Sequence, residues 1–198
     1  MIRLEIYRTD LEGNEIKGIG LPVFLLNSFL ASENRYDFEI IAVYEDGVIN
    51  CNGDMDFDGF KEKVKSGQIV TLPPARATIQ VGGLVEAKVV TPEESGWFVK
   101  LEEFVKQIED TILQLQGKRT SSDNCRYAFE KYLYEPTPSR RAKLRDAYER
   151  VPEHLRIFVL HHMDIKDKPI RQIISGQALT MDQLGFLKEE FTGISRTK

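Results

Sequence analysis

A chain of 198 residues that is 41% apolar and 29% charged has enough apolar material for a packed core, and its balance excludes a disordered chain. A formal charge of −4 argues against a nucleic-acid binder, which needs a basic surface to displace counterions from phosphates. Two cysteines far apart in sequence, Cys51 and Cys125, with no Cys-x-x-Cys pattern, fit free thiols in a reducing cytosol.

Arg3 and Glu5 stand where a secretory leader needs an uncharged apolar core. The longest apolar run, Leu21 to Leu26, is far short of a membrane span. The expected location is the cytoplasm, with no membrane partner. In the first half, Ile2, Leu4 and Ile6 alternate with Arg3, Glu5 and Tyr7, which predicts a half-buried strand. Asp10 to Gly20, with Gly13, Gly18 and Gly20, reads as a turn region. Leu21 to Asn27 reads as a strand, with Pro22 near a sheet edge.

Tyr36 to Glu45 has apolar residues on both faces and predicts a central strand. It returns through Asp46-Gly47, a two-residue hairpin signal, into Val48 to Cys51. Phe57, Phe60 and Val64 recur at helical spacing, so Asp56 to Ser66 is a short helix that Gly67 stops. Gln68 to Leu72 is a strand ended by Pro73-Pro74. Arg76 to Val81 and Leu84 to Val90 flank a second hairpin signal, Gly82-Gly83. About seven short strands and one helix thus precede residue 92.

The second half reads as helical. Trp97, Leu101, Phe104, Val105, Ile108, Ile112 and Leu115 form one apolar stripe that Gly117 stops, and this helix is the expected seam between the halves. Thr120 with Asp123 has the form of a helix cap. The helix behind it ends before Pro136, and Thr137-Pro138 starts the next. Pro152 opens a further helix through Met163. Asp167 and Pro169 begin a short one closed by Gly176. Thr180 with Gln183 is a capping box, followed by a stripe of Met181, Leu184, Leu187 and Phe191.

Four groups carry candidate chemistry. Asp54, Asp56, Asp58 and Gly59 match positions one, three, five and six of a calcium-binding EF-hand loop, and Glu62 fits position nine. Position twelve, however, is Lys65 rather than Glu, and the preceding segment is a strand rather than a helix. The competing reading is that Asp56 or Asp58 caps the helix that follows. His161, His162 and Asp164 form a second candidate, for metal or acid–base work, although neighbouring histidines point about 100° apart on a helix. The competing reading is a histidine at a helix end, where its charge suits the dipole.

Arg140, Arg141 and Arg145 belong to a basic stretch interleaved with Asp146, Glu149 and Glu153. That pattern reads as a salt-bridged surface, with an acid- or phosphate-binding patch as the sharper alternative. Cys51 has no histidine within the first 150 residues to serve as its base, so a buried structural thiol is expected.

Three segments carry a resemblance: Tyr44 to Cys51 with Phe57 to Val64; Thr120 to Asp123; and Val151 to Arg156 running on to Met163 to Arg171. Over roughly residues 40–176 the chain resembles an uncharacterised bacterial family of the domain-of-unknown-function type. The resemblance implies a bacterial cytoplasmic protein and brings no activity, cofactor or catalytic residue with it.

The expected fold is α+β. An antiparallel β-rich domain over 1–92, a curled sheet or partial barrel with one short helix, packs on a helical domain over 93–198. The expected function is a non-enzymatic protein-interaction module of the immunity-like or regulatory kind, whose partner is another protein. The alternative is an enzyme or ligand-binding protein with a site at Asp54–Asp58 or His161–Asp164. No cofactor is expected, calcium at the acidic segment being the one candidate.

Overall fold

The computed structural model describes residues 4–27, 34–89, 99–162 and 164–192. It divides into two compact units, Met1–Lys118 and Arg119–Lys198.

The first unit is built on one eight-stranded sheet that does not close. Its spine is a pair of long antiparallel strands, β2 (Glu15–Leu26) and β3 (Arg35–Tyr44), in register from Gly18 opposite Tyr44 to Leu26 opposite Tyr36. Six short strands flank this pair. On one side, β1 (Leu4–Thr9) and β6 (Ile69–Val70) both pair with β2. On the other, β4 (Ile49–Asn50) and β7 (Thr78–Val81) both pair with β3; β5 (Asp54–Met55) continues from β4, and β8 (Val85–Lys88) from β7. The β3–β7 pair is parallel; the others are antiparallel. The expected central strand is therefore found. Pro22, which has no N–H to donate, falls between the β1 and β6 pairings, where its absence costs no ladder bond.

Period-two alternation selects the buried face. Ile19, Leu21, Val23 and Leu25 of β2 and Ile41 and Val43 of β3 point to one side and are buried. On the other side Phe24 and Phe38, opposite each other in register, meet edge to face at 5.5 Å. Helix α1 (Phe57–Lys65) adds Phe60 to the core, and α2 (Leu101–Leu115) adds Phe104 and Ile108. The apolar stripe of α2 thus packs on the sheet of its own unit, and the division of the chain falls at 118/119 rather than at 92/93. Trp97, which the sequence puts at the start of this stripe, lies outside the described residues.

Two turns differ from expectation. Asp46-Gly47 sits in a three-residue loop, Glu45–Gly47, in which Gly47 N–H donates to the Tyr44 carbonyl and only Gly47 has positive φ, 86°. This is a type I turn closed by a glycine bulge, not a two-residue turn. Gly18 and Gly20 lie inside β2, not in a turn, and the turn itself is confined to Asp10–Asn14. A Cβ on Gly18 would lie 2.6 Å from the Tyr44 ring, so glycine marks a close side-chain approach at this position.

The second unit is helical. Helix α3 (Ser121–Tyr134) opens with the expected capping box of Thr120 and Asp123, and α4 (Pro138–Arg150) opens on Thr137 with proline in its first turn. The segment after Pro152 is a short 3-10 helix, Glu153–Phe158, rather than a helix running to residue 163. Arg156 explains the tightening: its guanidinium donates to the Glu149 and Val151 carbonyls at the end of α4, drawing the chain back onto that helix. Two further helices, α5 (Lys168–Ile174) and α6 (Met181–Thr192), complete the unit.

The core of the second unit gathers Cys125, Phe129 and Leu133 of α3, Leu144 and Tyr148 of α4, Ile170 and Ile173 of α5 and Leu187 of α6. Phe129 meets Phe191 edge to face at 5.5 Å. Met181, counted in the apolar stripe of α6, is 83% exposed, because it occupies the first helical position, beyond the packed length. No helix among the described residues is long and apolar enough to cross a membrane.

Candidate functional site

The alternating aspartates 54, 56 and 58 would share one face only if the strand continued through them. It stops at Met55, and the chain turns into α1. Asp54 accepts from Asn50 Nδ2 at 2.6 Å and from Arg8 Nη1 at 3.3 Å. Asp56 is the N-cap of α1 and accepts from Gly59 N–H at 2.8 Å. Asp58 pairs with Lys61 one turn on, at 2.5 Å. The three carboxylates are thus divided among separate partners, and Glu62 is exposed on α1. Among the described residues, no group of three or more His, Cys, Asp or Glu side chains is arranged to hold a metal ion.

Arg8 organises this region, and no local pattern in the sequence marks it. Its guanidinium pairs with both Asp46 and Asp54 and lies 4.6 Å from the centre of the Tyr44 ring. Gly18 makes room for that ring. Arg8 therefore ties β1 to the Glu45–Gly47 loop and to β5, a structural clamp made of residues 38 and 46 positions away.

The histidines face different partners. His161, with φ of +55°, receives Arg126 Nη2 at 3.0 Å on its Nε2. A guanidinium only donates, so Nε2 takes the acceptor role in this contact. His162 accepts from Ile165 N–H at 3.5 Å and turns its ring edge to Phe186. Asp164 is exposed. Of the basic stretch, Arg145 donates to the Ile174 carbonyl at 2.6 Å, closing the C-terminus of α5, and Arg140 lies 3.6 Å from Glu135. Arg141 is half-buried.

Both thiols are in apolar cores: Cys51 is 5% exposed and Cys125 0%. Burial pushes Cys51 up to about 11 and Cys125 up to about 12. A thiol kept protonated is neither nucleophile nor metal ligand. An aromatic disulfide reagent at pH 7.5 should therefore label neither cysteine in the native protein over minutes and both in denaturant. Rapid native labelling of one equivalent would reveal an activated thiol.

Two concavities stand out among the described residues. In the first unit, a cavity of about 290 Å³ between β1, β2 and the end of α2 is lined by Glu5, Lys17, Ile19, Gln114 and Leu115, with a Lys17–Glu5 ion pair of 3.0 Å in its wall. In the second, a cavity of about 150 Å³ lies between α5 and α6, where Pro169, Leu179, Phe186 and Leu187 are joined by Lys168 and Gln172. It adjoins the ring of His162 through Phe186. No residue singled out from sequence as a candidate ligand lines either one.

The two units differ in charge. Residues 1–118 hold 12 Lys and Arg against 20 Asp and Glu, and residues 119–198 hold 15 against 11. The acidity of the chain therefore resides wholly in the first unit.

No curated protein and no solved structure matches the chain. Residues 120–192, nearly the whole second unit, match the family model Domain of unknown function (DUF7639). Residues 5–119, more than half of the chain and coincident with the sheet unit, match the model Domain of unknown function (DUF7638), and the protein belongs to that family.

Proposed function

We propose that this protein is a non-enzymatic protein-interaction module of the regulatory or immunity-like kind, acting in the bacterial cytoplasm. The observation that carries the reading is the cavity between α5 and α6. At about 150 Å³ it is well below the roughly 300–1,000 Å³ of small-molecule sites. A cavity of that size takes about one benzene ring, the volume of a single aromatic or branched side chain. An apolar floor with a few polar groups is how a protein surface receives an anchor residue from a partner. Lys168, exposed beside it, and the net positive charge of residues 119–198 favour an anchor flanked by carboxylates. Buried, protonated thiols and carboxylates engaged in caps and ion pairs support the same reading over an enzymatic one.

Selection of a random peptide library on the full chain tests this. The expected result is enrichment of one Phe, Leu or Trp beside Asp or Glu, and at least tenfold weaker binding of the selected peptide to Gln172→Trp, whose side chain fills the cavity. Absence of enrichment, or peptides indifferent to Gln172→Trp, would remove the reading.

A further inference from the structure

The β7–β8 hairpin ends the sheet of the first unit, and among the described pairings β8 is bonded to β7 alone. All four residues of β8 are exposed, and so are Val81 and Leu84 at the turn, the latter at 92%. An open edge strand is a template for another strand, and its hydrogen-bonding parity restricts how a newcomer can align. Val81 lies opposite Val85, and the ladder continues to Val89, whose N–H donates to the Ala77 carbonyl at 2.9 Å. Val85, Ala87 and Val89 therefore turn their backbone groups toward β7. Glu86 and Lys88 turn theirs outward.

The outward strand reads Val85-Glu86-Ala87-Lys88-Val89, and that order is self-complementary. Two copies running antiparallel about a twofold axis at Ala87 place Val85 opposite Val89, Glu86 opposite Lys88 and Ala87 opposite Ala87 of the second copy. This register also joins outward residues to outward residues, as a hydrogen-bonded antiparallel pair requires. The two neighbouring registers of the same parity put Glu86 on Glu86 or Lys88 on Lys88, and like charges directly opposite each other are destabilising. Parity and charge together select one alignment.

From this geometry we infer that the protein self-associates through β8, merging two sheets across a twofold axis. The pairing forms four backbone hydrogen bonds and two Glu86–Lys88 pairs on one face. On the other it lines up Val81, Val85 and Ala87 with Val89 and Ala87 of the second copy. Arg35, 2.6 Å from Glu86, holds that carboxylate on the charged face. The inference is independent of the cavity between α5 and α6.

Sedimentation velocity of the full chain at low salt, from low micromolar to millimolar concentration, tests it. The wild type should show a reversible monomer–dimer equilibrium. Glu86→Lys and Lys88→Glu should each weaken it by about tenfold or more, because each places like charges opposite each other twice. An equimolar mixture of the two should form a heterodimer, since every cross-strand pair is then of opposite sign. Glu86→Lys also breaks the Arg35 pair, so Lys88→Pro supplies a separate check. It removes one outward N–H without touching the bonds to β7, and it should leave the chain monomeric. A wild type that stays monomeric throughout, a dimer indifferent to either reversal or to Lys88→Pro, or a mixture no better associated than its components would overturn the proposal.

Discussion

Phe104→Ala should lower the unfolding free energy of the protein by about 3–5 kcal/mol, the range for truncating a fully buried phenylalanine. Phe104 is 2% exposed and lies where α2 meets the sheet, in one cluster with Ile19, Leu21, Ile41 and Val43. Its ring centre is 6.3 Å from that of Phe60 on α1. One side chain therefore joins three elements, and no single neighbour can move to fill the space without breaking register with the others. Removing the ring forfeits its transfer free energy and leaves a void, because a packed core relaxes only partly. Urea denaturation followed by far-ultraviolet circular dichroism measures the loss. Glu102→Ala, on the exposed face of the same helix, should stay within about 0.5 kcal/mol of wild type. A cost below about 1 kcal/mol for Phe104→Ala would mean that α2 does not pack on the sheet as described.

That packing was half legible in the sequence. The stripe from Leu101 to Leu115, the cap at Asp56, the box of Thr120 with Asp123 and the restart at Thr137-Pro138 all rest on neighbours within four residues, and they stand where their spacing puts them. What the stripe packs against is a long-range matter. A helix needs something to cover its apolar face, but its sequence does not say what, and the sheet of its own unit covers it.

The same distinction separates the sites. The aspartate alternation was visible, but whether it converges depends on where the strand ends, and it ends at Met55, between the first and second candidate carboxylates. The Arg8 clamp was invisible because its partners, Asp46 and Asp54, are far along the chain and ordinary in type. Gly18 was misread for the opposite reason. A glycine is a strong local turn signal, and here a tertiary contact with Tyr44 is what requires it. The outward half of β8 was equally hidden, since strand parity is fixed by the hydrogen bond of Val89 to Ala77 and not by any residue type.

Tyr148→Phe should cost about 1.5–3 kcal/mol at neutral pH, the range for a hydrogen bond to a charged group. In addition, the cost should shrink in strongly alkaline solution. Asp167 is 3% exposed and accepts the Tyr148 hydroxyl at 2.5 Å; Arg171 approaches the same oxygen at 3.3 Å from a largely exposed position. The phenylalanine variant leaves that buried carboxylate to Arg171 alone. The pH dependence follows from the hydroxyl. Burial first, then the hydrogen bond to Asp167 and its charge, push the Tyr148 hydroxyl well above the ordinary tyrosine value of about 10.

Below pH 10 both folded and unfolded chains keep the proton, and the stabilisation is fully present. As pH rises beyond 10, the unfolded chain releases the proton while the folded one holds it, so the equilibrium moves toward unfolding. Wild type then loses up to about 1.4 kcal/mol per pH unit through this group, and Tyr148→Phe loses none through it. Cys51 and Cys125, also raised by burial, add their own alkaline losses to both proteins and cancel in the comparison. The difference between wild type and variant is therefore the diagnostic quantity. It should be constant from pH 6 to 9 and narrow above pH 10. A gap that stays constant to pH 11 would mean that the hydroxyl is not the proton that folding holds, and that Asp167 draws its support from Arg171 instead.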